Sequence, residues 1–269
     1  MGTADPLITA AELEDRLDEV VVCDLRWSLT DPDHGIAAYE AGHIPGAAFV
    51  DIDRDLAGPP GEGRHPLPAV EDFVSLLGAL GIEPGTEVVV YDDAGGAVAA
   101  RMWWMLRSIG HESARLLDGG LAAWTDAGNP LSQEPASRPS TTYPPVQGFD
   151  GVVRRDDLEG RPLIDVRAPE RYRGDVEPVD PKAGHIPGSL SFPLAGNLGP
   201  HGRFLAPEEL RRRYRDAPAD TVVSCGSGIN ACHSALAMVL AGRPMPDVYI
   251  GSFSDWSRQD LPVTVGDSP

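Results

Sequence analysis

Thr221 to Ala241, TVVSCGSGINACHSALAMVLA, carries the residues best suited to chemistry. Val222-Val223 reads as a short buried strand, Cys225-Gly226-Ser227-Gly228 as a tight turn, and Ala231 onward has the spacing of an amphipathic helix. A cysteine at such a strand-to-helix turn faces successive backbone N–H groups and the positive end of a helix dipole, an arrangement that holds an anion or favours a thiolate. Cys225 is therefore the nucleophile candidate, cradled by Gly226, Ser227, Gly228, Ile229, Asn230 and Ala231, with Ser227 as a hydroxyl donor. No lysine or arginine lies in the loop from Gly226 to Asn230, so stabilisation must come chiefly from N–H groups and the helix end. An isolated cysteine under a glycine turn is more often a packing residue, so the rest of the chain has to decide.

The elements that must position this loop occur twice. In the first half, Ile8 to Leu17 reads as a helix with Thr9 as N-cap and Glu12 completing a capping box. A strand from Val20 ends in Asp24-Leu25-Arg26, Ala41-Gly42-His43-Ile44-Pro45-Gly46 follows, and a Gly/Pro-rich loop spans Gly58 to Pro68. Helices are predicted over Val70 to Leu80 and Ala97 to Ile109, with a strand from Glu87 to Tyr91 between them. The second half repeats the order with Asp165-Val166-Arg167, Ala183-Gly184-His185-Ile186-Pro187-Gly188 and the strand Thr221 to Ser224. Ala123-Trp124 and Asp255-Trp256 close the two copies, and equivalent positions are offset by 141, 142 and 132 residues at the Asp-x-Arg, AGHIPG and tryptophan sites. A period this long is duplication of a domain, since solenoid units run to about 20 to 50 residues.

The expected division is an N-terminal domain over 1–131, a proline-, serine- and threonine-rich linker over 132–147, and a C-terminal domain over 148–269. Strands alternate with helices in each copy, so each should be an α/β layer structure with a mainly parallel sheet flanked by helices and its ligand at the carboxyl ends of the strands. The first copy is an internal control. Its strand Val88-Val89-Val90-Tyr91 runs into Asp92-Asp93, so the scaffold does not need a cysteine there.

Composition narrows the function further. The formal charge of -19 is lopsided: residues 1–135 carry 24 acids against 7 Lys/Arg, residues 136–269 carry 17 against 15. That balance argues against nucleic-acid binding and makes the second half the host for an anionic substrate. No apolar run approaches the roughly 20 residues that span a bilayer, and MGTADPLITA lacks the pattern of a targeting segment, so a cytoplasmic protein is expected. Three cysteines, Cys23, Cys225 and Cys232, fit a reducing compartment. Cys225-x6-Cys232-His233 has no second ligand cluster at usable spacing, so no metal and no cofactor are expected.

Paired AGHIPG segments, paired Asp-x-Arg strand ends, Cys225-Gly226-Ser227-Gly228 followed by Ala231, and Gly251-Ser252-Phe253-Ser254-Asp255-Trp256 together resemble the tandem rhodanese-type sulfurtransferases, which act on thiosulfate or 3-mercaptopyruvate. The resemblance covers essentially the whole chain. It implies two rhodanese-like domains, an active second one and a first that has lost its cysteine and serves as structure or as a wall of an interdomain cleft. It also implies transfer of a sulfane sulfur to Cys225 as a persulfide, then to cyanide or a thiol, a protein thiol among the candidates. Arg171 matches the family's donor-binding arginine, with Arg173 a weaker candidate. Mercaptopyruvate enzymes carry a further arginine nine residues on, where this chain has Asp180; yet Cys-Gly-Ser-Gly is closer to their loop than to the basic thiosulfate loop, so the donor stays open.

His43 could face the interdomain cleft and assist proton movement, whereas His185 is expected to shape a turn. Cys232 is expected to pack in the helix and Cys23 in the core. Phosphatases that share the fold need an arginine six positions after the cysteine, and here that position is Ala231, which disfavours them. The remaining rival is a persulfide carrier that delivers sulfur to one dedicated protein.

Overall fold

The computed structural model describes residues 5–269; Met1 to Ala4, the start of the N-terminal stretch read above, lie outside the described residues. Two compact units result. The first spans residues 1–58, 67–150 and 200–204, the second 59–66, 151–199 and 205–269, so each takes a short segment from the other half of the sequence. The proline-rich stretch after Leu131 is held along the first unit: Ser132 pairs with His43 as an isolated antiparallel bridge, and Thr141 donates its N–H to Gly78 O at 2.8 Å.

In the first unit the strands are β1 (Leu7–Ile8), β2 (Val21–Asp24), β3 (Ala48–Phe49), β4 (Val88–Tyr91) and β5 (Ala114–Leu117). Its helices are α1 (Ala10–Glu14), α2 (His34–Ala41), α3 (Ile52–Asp55), α4 (Val70–Ala79), α5 (Ala100–Ser108) and α6 (Gly120–Asp126). The second unit has β6 (Val152–Val153), β7 (Leu163–Asp165), β8 (Leu190–Ser191), β9 (Val222–Ser224) and β10 (Asp247–Tyr249), with α7 (Pro169–Arg173), α8 (Pro207–Arg213), α9 (Ile229–Leu240) and α10 (Ser252–Trp256). Sheet orders are β1-β5-β4-β2-β3 and β6-β10-β9-β7-β8, and every pairing is parallel. The two orders are the same topology written twice, as the duplicated motifs predict. Fully buried β2, β4 and β9 are runs of valine because helices cover both faces of such a sheet.

The repeated motifs have local physical reasons. Tyr39 and Tyr172 stack on His43 and His185 with ring centroids 3.8 and 3.7 Å apart, and each histidine Nδ1 lies 2.8 Å from its own tyrosine's carbonyl oxygen. Each tyrosine hydroxyl then donates across the AGHIPG turn, to Ala47 O at 2.8 Å and Ser189 O at 2.5 Å. Trp124 and Trp256 donate their indole N–H to Pro130 O and Pro262 O, both at 2.8 Å, which accounts for the proline six residues after each tryptophan. Helix α1 begins after its Thr9 cap with both halves of the capping box made. Ile8, placed in that helix by periodicity, instead pairs in register with Leu117 in the sheet. Among the described residues no helix is long and apolar enough to cross a membrane.

Candidate active site

Register locates the site. Asp24 pairs with Tyr91 across β2 and β4, and Asp165 pairs with Ser224 across β7 and β9. The residues that follow, Asp92 and Cys225, are therefore equivalent, each at the carboxyl end of its sheet's central strand. The chain leaves β9 through Cys225 and enters α9 at Ile229 over a left-handed Gly228, φ 81°. Any larger residue would drive its Cβ to 2.4 Å from Ile250 O, so only glycine makes this turn.

Gly228 N–H donates to Cys225 Sγ at 3.1 Å, and Cys225 N–H donates to Ser252 Oγ at 3.0 Å. The Ser252 hydroxyl lies 2.8 Å from Tyr249 O and 3.9 Å from the sulfur, so its single proton can serve either acceptor. Ser252 holds φ 51°, where its counterpart in the first unit is Gly120 at φ 58°. A serine kept in a glycine conformation costs about 1 kcal/mol or more. Of the remaining cradle residues, Gly226, Ser227, Ile229 and Ala231 are buried and Asn230 is exposed.

Two arginines stand over the loop. A Cβ built on Gly226 would lie 3.0 Å from Arg64 Nη2 and 3.5 Å from Arg171 Nη1, so the missing side chain is the space that the guanidiniums occupy. Arg171 forks onto Glu177 at 2.6 and 3.1 Å and reaches Asp180 at 3.1 Å. Arg64 pairs with Asp180 through Nη1, and its backbone N–H donates to Ser254 Oγ at 3.0 Å. Next to it, His65 Nδ1 lies 2.8 Å from Ser227 Oγ. Burial opposes ionisation of Glu177, but hydrogen bonds from Arg171 and from the N–H groups of Asp180 and Val179 outweigh it and hold the carboxyl below the ordinary glutamate range. The stability this supplies is present above that ordinary range and is lost as pH falls through the depressed value. Glu177→Gln should accordingly flatten part of the acid limb of a stability-against-pH curve from urea midpoints; an unchanged limb would contradict the assignment.

The structure brings Cys225, its loop, Ser227 and Arg171 together. It does not bring Arg173, whose partners are Asp175 and Asp267. His43 is fully buried, with Nε2 2.9 Å from Glu134 O and Nδ1 on Tyr39 O, both in its own unit. Asp165 and Arg167 brace the loop from below: Arg167 forks onto Asp165, donates to Gly184 O at 2.7 Å and lies 3.9 Å over the Phe253 ring. Cys232 is buried and donates to Gly228 O at 3.3 Å. Burial and the neighbouring Asp24 push the Cys23 thiol up to about 12, so it is inert at neutral pH. Sequence reading missed Arg64 and His65, which lie in what read as a featureless Gly/Pro loop. The available signal was Asp180, an acid where the resemblance places a cation.

A rhodanese-like domain family matches residues 9–127 and 153–259. The chain belongs to the tandem rhodanese-type sulfurtransferases. A protein of Pseudomonas aeruginosa named as a probable 3-mercaptopyruvate sulfurtransferase is 44% identical over 279 residues, 97% of this chain and 98% of that one. The thiosulfate sulfurtransferase of Rattus norvegicus is 34% identical over 260 residues, 90% and 86% of the two chains. Among solved structures, 3-mercaptopyruvate sulfurtransferase from Leishmania major superposes with a TM-score of 0.85 at 32% identity, covering 93% of this chain and 74% of that one. The two domain matches and the paired five-stranded parallel sheets fit this sulfurtransferase family.

Proposed function

We propose that this sulfurtransferase takes a sulfane sulfur from thiosulfate or 3-mercaptopyruvate onto Cys225 as a persulfide and passes it to cyanide or a thiol, a protein thiol included. The observation that carries the reading is the Cys225 sulfur at a strand end, with the Gly228 N–H on it and two guanidiniums over the adjoining Gly226. With thiosulfate, the Cys225 thiolate attacks the outer sulfur, the S–S bond breaks and sulfite leaves with the electron pair. With 3-mercaptopyruvate, the attacked sulfur loses its bond to carbon. The pair goes to C3 as an enolate, which takes up the proton released from the thiol to give pyruvate. The Ser227 hydroxyl, held by His65, is the group placed to carry that proton. An acceptor nucleophile then takes the outer persulfide sulfur and returns Cys225 as thiolate.

The first domain, 1–131, has Asp92 and Asp93 where the second has its thiol and carries no sulfur in this reading. Cys23, Cys225 and Cys232 form no disulfide with one another, which supports action in the cytoplasm. The test is steady-state thiocyanate formation from each donor, with intact-protein mass measured after donor alone. A gain of one sulfur atom and turnover with at least one donor are expected; no gain and no turnover would sink the proposal. A single stoichiometric transfer without turnover would instead identify a carrier.

Ser252 supplies a narrower prediction. Ser252→Gly relieves the left-handed strain, so thermal stability should hold or rise. It also removes the hydroxyl that fixes Cys225 N–H and can turn its proton to the sulfur, so kcat should fall about tenfold, the worth of one hydrogen bond. Equal kcat in the two proteins would show that the serine only fills space.

A further inference from the structure

We propose that the arginine-lined pocket where α8 and α9 end is a binding site for a small organic ligand that carries two or three negative charges on phosphoryl groups. Its volume is about 650 Å³, within the range of small-molecule sites. Arg211, Arg212, Arg215 and Arg243 line it, and Glu208 is the one acid of the lining. Four positive charges against one give +3, or +2 counting Asp216 beside Arg215, on a chain whose net charge is -19. The pocket is distinct from the Cys225 loop. That loop enters α9 at Ile229, whereas the pocket takes Ala241 and Arg243 beyond Leu240, and the 12 residues of the helix hold the two ends about 18 Å apart.

Basic residues in the last turn of a helix commonly complement its dipole, but other side chains already fill that role here. Arg243 donates Nη1 to Tyr214 O at 2.8 Å and Nη2 to Ala217 O and Pro218 O at 2.9 and 2.6 Å, while Arg213 donates to Asn197 Oδ1 and Pro193 O. Those acceptors are uncharged, so Arg243 keeps its full charge at the pocket. Arg211, Arg212 and Arg215 are exposed, and among the described residues none of them donates a hydrogen bond to the protein. Their one ion pair among the described residues joins Arg215 Nε to Asp216 Oδ1 at 3.8 Å, with both side chains mostly in solvent. Four arginines within residues 211–215 repel one another, a cost that a bound anion offsets.

Charge and shape select the ligand. A monocarboxylate meets only part of the balance, whereas a phosphate ester or a diphosphate matches it and offers oxygens that guanidinium forks bridge in pairs. Ala241 and the methylene stems of the arginines give an organic body an apolar wall. The acidic remainder of the chain repels an extended polyanion, which leaves a small ligand as the occupant.

Calorimetric titration in a low-salt chloride buffer, without divalent metal, measures pyrophosphate and adenosine diphosphate against wild type, Arg171→Ala, the Arg211→Ala/Arg212→Ala/Arg215→Ala variant and the corresponding triple lysine variant. One-site binding in the micromolar range is expected, with adenosine diphosphate at least as tight as pyrophosphate. The triple alanine variant should bind about 100-fold more weakly, about fivefold for each guanidinium lost, and the triple lysine variant should fall between, since it keeps charge without the fork. The substituted side chains are exposed, so urea midpoints should hold. Arg171→Ala, which alters the Cys225 loop instead, should bind both probes as wild type does. No saturation of wild type up to about 1 mM, equal Kd in the triple alanine variant, or a loss in Arg171→Ala in place of that variant would each overturn the proposal. Pyrophosphate binding with adenosine diphosphate excluded would overturn the organic body. The measurement needs no sulfur transfer, so its outcome is independent of the function proposed above.

Discussion

Cys225→Ser is expected to abolish turnover with either donor, lowering kcat/KM at least about a thousandfold, while urea and thermal midpoints stay within about 1 kcal/mol of wild type. The size follows from the chemistry. A serine hydroxyl in the same loop is not a soft anion and forms no stable bond to a sulfane sulfur, so both half-reactions are lost together. The small structural effect follows from the surroundings: the hydroxyl can accept the Gly228 N–H that now meets the sulfur at 3.1 Å, and Cys225 N–H keeps its bond to Ser252. Intact mass after donor exposure should show no added sulfur. Retained turnover would remove Cys225 from the mechanism, whatever the loop's shape. Persulfide on the variant would point to Cys232, which the structure buries against Gly228 O. Parallel assays of Cys232→Ala, expected to remain active, separate those two outcomes.

Much of this was legible in the chain because its motifs are local. Tyr39 stacks on a histidine four residues on, Arg26 folds back on Asp24, and Trp124 reaches a proline six residues away, so each contact writes a short pattern that duplication then repeats. Cys225 was legible for the same reason, since strand, glycine turn and helix are consecutive. Arg64 and His65 were not. Their partners, Asp180 and Ser227, lie more than a hundred residues away, and a Gly/Pro loop has no periodicity from which to read a face. Arg173 shows the converse limit: it is two residues from Arg171, and in a one-turn helix that spacing sends the side chain to another side, toward Asp175. The segment 59–66 joins the second unit through Gly63 and Arg64, which pack on Gly251 and Ser254, and no composition rule reports such an exchange.

Asp92→Ala should be the most destabilising single change in the first unit, by about 3 to 5 kcal/mol in a urea titration. At the position equivalent to Cys225, the fully buried Asp92 side chain accepts four backbone N–H groups: Ala94 at 2.9 Å and Gly96 at 2.8 Å on Oδ1, Val98 and Ala99 at 2.8 Å on Oδ2. Burial pushes the Asp92 carboxyl above the ordinary aspartate range, and those donors offset part of that push. With both oxygens accepting twice, no lone pair is left to take a proton, so the carboxylate is the form this loop holds. The first copy has therefore filled its own anion cradle with a tethered anion, where the second leaves the place to a sulfur. Removing the side chain strands four N–H groups, those of Gly96, Val98 and Ala99 buried and that of Ala94 partly so, and each buried one costs about 1 kcal/mol or more. Asp92→Asn keeps the shape but turns an NH₂ toward two of those donors, so it should cost about half as much. A cost below about 1 kcal/mol for Asp92→Ala would mean that water satisfies the turn. Activity should be kept in whatever fraction stays folded, because in the proposed mechanism the reacting sulfur belongs to the other copy; turnover per folded molecule that fell with the first substitution would give the carboxylate a catalytic part.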